Sequence, residues 1–458
     1  MARTTAVDRS RLPVPGPAPP FTFPPVDKST LPNGLRIWTV RHPQVPVVSL
    51  LLVVTAGSAA DPISQEGLAA MTADMLDEGT GDLSAIEVNQ ALARLGASIE
   101  TDIGSDAIVV SASTLSRVAD RALAMMADIV VRPSLREDDF MRVRQLRLHR
   151  LKQLRDSAPA LADRAFIRTI YGDDPYGHAP LGYERSLLAM GLDDVRAFHA
   201  REIVPASATL IAVGDCEHQA IARQAAAVFA DWRGHSPDRV VPAPPARLER
   251  SRLAIVARPH APQSELRIGQ VAAERRTPDY HALALGNTVL GGPFVSRINL
   301  NLREGKGLTY GARTSFEFRR RPGPFTLHAS VQTSGTVLAI QESIGEIAGI
   351  RDARPPTDAE LALGIATMTR GYARSFETAD QISRAVMQLA LYGLPDDFYD
   401  QFVARVEALT RDDVSRALTK YLDPARLTTI IVGDPDAIGG DLARLGLGEP
   451  AVLSAAAL

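Results

Sequence analysis

The strongest constraint on this chain is an internal repeat. Asp193-Asp194-Val195, Pro205-Ala206, Thr209, Ile211 and Val213-Gly214-Asp215 return as Asp412-Asp413-Val414, Pro424-Ala425, Thr428, Ile430 and Val432-Gly433-Asp434. Every pair is offset by 219 positions (193 against 412, 205 against 424, 215 against 434), so the copies align without a gap. Each copy reads as an aspartate-capped helix, a turn before proline and a β-branched strand ending at Gly-Asp. So long a period means duplicated domains, because solenoid units run to only about 20–50 residues. A chain of 458 residues has room for two such units.

Upstream of the shared ending, both copies keep the same order of elements. The first has strand patterns at Leu35 to Val40 and Val47 to Thr55, a helix at Glu66 to Leu76, and strands near Ala97 to Thr101 and Ala107 to Ala112. Helices follow at Leu115 to Val131 and Asp138 to Arg155. The second has strands near Leu253 to Ala257 and Glu265 to Val271, a helix from Asp279, strands near Ala312 to Phe318 and Phe325 to Gln332, then helices. This predicts an α+β fold of two homologous domains, each an antiparallel-rich mixed sheet with helices packed on one face. The boundaries expected are a proline-rich strap at 1–30, a first domain at 31–231, a linker at 232–250 and a second domain at 251–448. The prolines between Arg11 and Pro25 favour an extended surface strap over an SH3-type ligand.

Composition excludes several classes. Hydrophobic residues at 45% and charged residues at 22% are ordinary for a globular protein. A net charge of -3 offers no overall attraction to nucleic acid or to an anionic membrane. The single cysteine, Cys216, excludes an internal disulfide framework and a thiolate zinc cluster. No apolar run reaches the roughly 18–20 residues of a membrane span. The compartment stays open between bacterial periplasm and cytoplasm.

The first helix, from Gly67-Leu68-Ala69-Ala70 through Ala73-Asp74-Met75 to Gly79-Thr80, resembles a helix of the pitrilysin (insulinase) metallopeptidases. In that family it carries the inverted zinc motif His-x-x-Glu-His, two ligands and a base that activates the metal-bound water. Here the ligand positions hold Ala70 and Asp74, and the base position holds Ala73. The resemblance puts the third ligand, a glutamate, about 76 residues further on. From Asp74 that count ends on Arg150, whose guanidinium cannot coordinate zinc. The nine histidines include no pair spaced four apart to replace the motif.

The second copy holds Leu290-Gly291-Gly292-Pro293-Phe294-Val295-Ser296-Arg297, then Leu302-Arg303-Glu304 and Tyr310. This is similar to the family's C-terminal signature, Gly-Gly-x-Phe-x-Ser-Arg, Leu-Arg-Glu and a tyrosine seven residues after the arginine; the interval from Arg303 to Tyr310 is the same. The resemblance implies that Tyr310 stabilises an oxyanion and Arg303 positions substrate across a central cavity. Gly291 and Gly292 also suit a phosphate cradle, but no Gly-Lys-Ser/Thr follows, so a backbone turn is expected. Tyr176-Gly177 is similar to the family's Pro-Tyr-Gly segment and reads as a loop-packing element.

One helix crowds Arg142, Arg144, Arg147, His149, Arg150, Lys152 and Arg155 against an apolar stripe of Val143, Leu146, Leu151 and Leu154. Three readings stand open for it: a solvated face, a cavity or partner surface, or a nucleic-acid contact. The resemblance covers about Leu31 to Leu445 and fits the short two-lobed branch typified by the subunits of mitochondrial processing peptidase. It implies a non-zinc subunit without a cofactor of its own, paired with a homologous zinc-bearing subunit and acting on peptides. A structural core-protein-like scaffold and a homodimeric peptide-binding protein without catalysis are the competing readings.

Overall fold

The computed structural model describes residues 21–237 and 249–458. Two six-stranded sheets have matching strand orders. The first runs Asp27–Thr30, Arg36–Arg41, Ala208–Gly214, Val47–Val54, Ile108–Leu115, Ser98–Ile103. The second runs Ala451–Leu453, Arg252–Ala257, Thr428–Gly433, Gln263–Val271, Pro324–Gln332, Ala312–Phe316. Each combines antiparallel neighbours with a parallel pairing onto the strand ending at Gly-Asp, made by Arg36–Arg41 in the first sheet and Arg252–Ala257 in the second. The repeated aspartates lie at the third helical position, and Asp194 and Asp413 accept from the cap-residue amides of Gly191 and Thr410.

The outer strands break the symmetry of the two lobes. Asp27–Thr30 runs antiparallel to Arg36–Arg41, whereas Ala451–Leu453 runs parallel to Arg252–Ala257. The described end of the proline-rich segment is therefore an edge strand rather than a surface strap. Phe21 stacks on Phe376 and Phe23 packs tilted against Tyr399 of the second lobe, with ring centroids 4.9 and 4.8 Å apart. The prolines up to residue 20 lie outside the described residues. Trp232, expected in the linker, is buried in the first core and donates from Nε1 to the Ile203 carbonyl at 3.0 Å. Ala451–Leu453 extends the second domain beyond 448.

Helices cover both faces of each sheet, not one. Within each lobe they seal one face. The other face is sealed by a helix from the opposite lobe. Ala158–Tyr171 lays Leu161, Ala165, Phe166 and Ile170 on Ala254, Val256, Ile430 and Val432. Reciprocally, Ala379–Tyr392 lays Ile382, Val386 and Leu389 on Val40, Leu51, Val53, Ile211 and Val213. A buried hydrogen bond at 3.0 Å between the hydroxyls of Ser49 and Ser383 crosses the same seam. Tyr176 closes the far end of the seam: its hydroxyl donates to Asp106 and accepts from the Arg321 amide, beside the Arg321–Asp174 ion pair at 2.6 Å. The segment packs loops together, as the sequence suggested.

His281 sits in an aromatic cluster with Tyr280, Phe398 and Phe402, its Nε2 buried without a hydrogen-bond partner. Burial, then the charges of Arg405 and Arg275, push its pKa down to about 4. The folded protein therefore favours the neutral ring, whereas the unfolded chain takes up a proton near pH 6.5. The stabilising difference is complete above that value and is lost as pH falls toward 4. At pH 5 the cost from His281 should be about 2 kcal/mol relative to pH 7.5. Urea unfolding at the two values tests this, and His281→Phe should flatten the difference by that amount.

Candidate functional site

The helix Leu68–Met75 is anchored at its start by Asp61, whose carboxylate accepts from the amides of Gly67 at 2.7 Å and Ala69 at 2.6 Å. His178 Nε2 lies 3.0 Å from the same carboxylate. Gly67 has φ 99, and a Cβ there would press on the Gly182 backbone at 3.0 Å. Ala70 and Ala73 are both buried. Asp74 receives Arg147 Nη1 at 2.5 Å, and Arg147 Nη2 donates to the Pro180 carbonyl at 3.2 Å. Counting put Arg150 opposite this helix. The structure instead brings Arg147, one turn earlier, to Asp74 and leaves Arg150 exposed.

Two methyl groups, one paired carboxylate and a buried guanidinium do not suit zinc. Among the described residues no three His, Cys, Asp or Glu side chains converge to hold a metal. Asp74→Ala would strand the Arg147 charge inside the lobe. Removing one partner of a fully buried pair costs about 3–5 kcal/mol. Because Asp74 is 45% exposed, we expect nearer 2 kcal/mol, measured as a lower urea midpoint.

Half of the other basic side chains of the helix Glu137–Arg155 are engaged by neighbouring groups outside it. Arg142 pairs with Glu78, Arg155 with Glu184, and Arg144 donates to the Met190 carbonyl. His149, Arg150 and Lys152 face solvent. Leu148 packs into the core, whereas Leu146, assigned to the apolar stripe, is exposed. Among the described residues no helix is long and apolar enough to cross a membrane.

In the second lobe, Gly291 ends the helix Tyr280–Leu290 against the strand Ala312–Phe316, where a Cβ would meet Thr314 Oγ1 at 2.4 Å. At Gly292 a Cβ would lie 3.0 Å from the Thr288 backbone. The pair therefore serves close backbone packing. Arg297 forks onto Glu360 at 2.6 and 2.7 Å and donates to the Pro355 carbonyl at 3.0 Å, holding the motif from behind. The Arg297 bonds, with those that Thr357 donates, hold the Glu360 pKa down to about 2.

Arg303 stands on a π-helical turn, Leu300–Gly305, anchored by buried Leu302. Its guanidinium lies 4.9 Å from the centroid of exposed Phe294 and 3.2 Å from Glu304. Tyr310 is pinned on both sides. Thr309 Oγ1 donates to the Ser330 carbonyl at 2.7 Å, and Ala312 exchanges two hydrogen bonds with the Asn299 amide. Between those clamps the Tyr310 side chain is 90% exposed and has no hydrogen-bond partner among the described residues. Phe294 was part of the motif but had no assigned role; its contact with Arg303, nine residues on, is not encoded in the spacing. Arg147 was visible only as one cation in a run.

Residues 36–182 match the family model for insulinase (peptidase family M16), and residues 189–368 match that for the peptidase M16 inactive domain. The chain belongs to the M16 family. A protein named as an uncharacterized zinc protease of Mycobacterium tuberculosis is 25% identical over 92% of this M16 chain and 96% of its own length. A crystal structure titled as a peptidase M16 inactive domain from Pseudomonas fluorescens is 26% identical with TM-score 0.84, covering 90% of this chain and 98% of that one. A Helicobacter pylori protease structure, 19% identical with TM-score 0.83 over 89% of this chain and 99% of its own, shares the fold.

Proposed function

We propose that this chain is the non-zinc subunit of a heterodimeric M16 peptidase. It presents Arg303 and Tyr310 to a zinc site on a homologous partner and has no metal of its own. The observation that carries this reading is Tyr310, a phenol 90% exposed on a loop clamped on either side. Fixing the backbone on either side of an exposed aromatic residue restricts it without burying it, which favours contact with something outside the chain. In the complex the Tyr310 hydroxyl donates to the oxyanion that forms as a peptide carbonyl is attacked. Arg303, kept over Phe294, holds a substrate carbonyl or carboxylate. A zinc ion held by the partner would supply the activated water.

The test is reconstitution. The chain is mixed with a homologue bearing an intact His-x-x-Glu-His, ideally one encoded beside it, and cleavage of an unstructured peptide is followed. Activity above that of either chain alone is expected. No rise would sink the heterodimer and leave the scaffold or the homodimeric peptide binder. Stoichiometric zinc on the isolated chain would overturn the reading of Ala70, Ala73 and Asp74.

A further inference from the structure

The two lobes fill the same edge position with unrelated segments. Beside Arg36–Arg41 the first lobe places Asp27–Thr30, antiparallel; beside Arg252–Ala257 the second places Ala451–Leu453, parallel, paired with Ala254, Ile255 and Val256. The repeat therefore specifies a sheet whose edge stays open, and a separate piece of chain is added to it. Such an edge, with its unpaired amides and carbonyls, is a template for an extended segment.

The segment 451–458 is lightly held there. Three residues pair with the sheet, Val452 is 77% exposed, and the packing comes from Leu453, Ala455 and Leu458. It is reached through Gly446 and Gly448, both left-handed (φ 65 and 83), with open space where a Cβ would stand.

Its seat, by contrast, is built from buried groups of both lobes. Residues 454–458 cross onto the first lobe, where Arg164 of the helix Ala158–Tyr171 donates from Nε to the Leu458 main-chain oxygen and Arg155 donates to the Ala456 carbonyl at 3.4 Å. Arg164 is 7% exposed; its Nη2 donates to the Gly182 carbonyl at 2.6 Å, and its Nη1 is buried without a partner among the described residues. The charged side chain that acts on it, Arg155, has the same sign. A guanidinium buried without a side-chain carboxylate must find its acceptors among main-chain oxygens. Around it Leu151, Leu154, Leu161 and Tyr183 wall a cavity of about 170 Å³ that Ala456 and Leu458 close from the other side. An edge strand, a buried donor and an apolar cavity together suit a ligand read by its backbone and by an apolar side chain.

We infer that this seat is a binding site for short extended apolar peptide segments, filled in this structure by the chain's own residues 451–458 and open to an equivalent segment in trans. The ligand adds as a strand to Arg252–Ala257, sets a main-chain oxygen on Arg164 and lodges an aliphatic side chain against Leu151, Leu154 and Leu161. None of these groups belongs to the Arg303 and Tyr310 platform, so the site stands whether or not the heterodimer does.

A protease site placed within 446–450 of the full-length chain and cut after folding tests this, with binding of a dye-labelled peptide of residues 449–458 followed by fluorescence anisotropy. While tethered, the segment competes at an effective concentration on the order of 1 mM, so the uncut chain should bind the peptide at least about 10-fold more weakly than the cut chain. In the cut chain, the same peptide carrying Leu453→Asp and Leu458→Asp should bind at least about 10-fold more weakly than the unaltered one, because two buried aliphatic side chains are lost. Arg164→Met should weaken the unaltered peptide about 10-fold, the loss of one charge-assisted hydrogen bond, with a melting curve as the control on folding. Should that variant fail to fold, the comparison of the two peptides needs no substitution in the protein. Failure of the cut chain to take up the peptide, whether because its own segment never leaves or because the empty seat does not bind, would overturn the inference. Equal binding by cut and uncut chains, or equal affinity for the two peptides, would overturn it as well.

Discussion

In an active complex with a zinc-bearing homologue, Tyr310→Phe should lower kcat about 100- to 1,000-fold, the range measured when one oxyanion donor is removed. The physical case is unusually clean because the residue is 90% exposed and its hydroxyl has no partner among the described residues. Deleting the hydroxyl removes no internal hydrogen bond and no packing, so thermal stability should stay within about 0.5 kcal/mol of the unaltered chain. A loss confined to kcat would place the hydroxyl at the transition state, because a donor that also binds ground-state substrate would raise KM. Arg303→Ala should raise KM, since its proposed contact is with groups already present in the substrate. A Tyr310→Phe complex with unchanged kcat and weaker subunit association would reassign the ring to the interface.

The repeat made the two-lobed fold legible, because a 219-residue offset without a gap leaves no other economical architecture. What it hid is the exchange of helices between the lobes. The signal was present in Val47-Val48-Ser49-Leu50-Leu51-Leu52-Val53-Val54, which is apolar on both faces where a one-sided sheet would alternate. Thr428–Gly433 shows the same pattern. Such runs say that both faces are covered, not by what; that depends on contacts between residues far apart in the chain. The helix Ala85–Leu95 was also overlooked, although Ser84 and Glu87 form a capping box readable three residues apart. At the site, residue types and spacing pointed to Arg303 and Tyr310. Arg147 escaped because a count along a helix fixes a position only to within a turn, and here the turn earlier is the one that faces Asp74.

The exchange has a large consequence for stability. If the chain is divided within 238–248 and the halves are made separately, neither should fold. The second sheet would lose Leu161, Phe166 and Ile170, and the first would lose Ile382, Val386 and Leu389. At about 2 kcal/mol for each fully buried side chain, three such losses come to about 6 kcal/mol. That is comparable with the whole stability of a domain, about 5–15 kcal/mol. Each half would also expose an apolar sheet face, which drives aggregation. Co-expressed halves should instead recover a soluble one-to-one complex, since the seam is made of packing, the Ser49–Ser383 bond and the Arg267–Asp163 pair rather than of chain connectivity. For the same reason the intact chain should melt in a single transition, and a cut confined to 238–248 should leave that transition in place. A cooperative melt from either half alone would show that the lobes are independent. Any opening of the proposed heterodimer for substrate would then have to be sought within this chain as well as between the two chains.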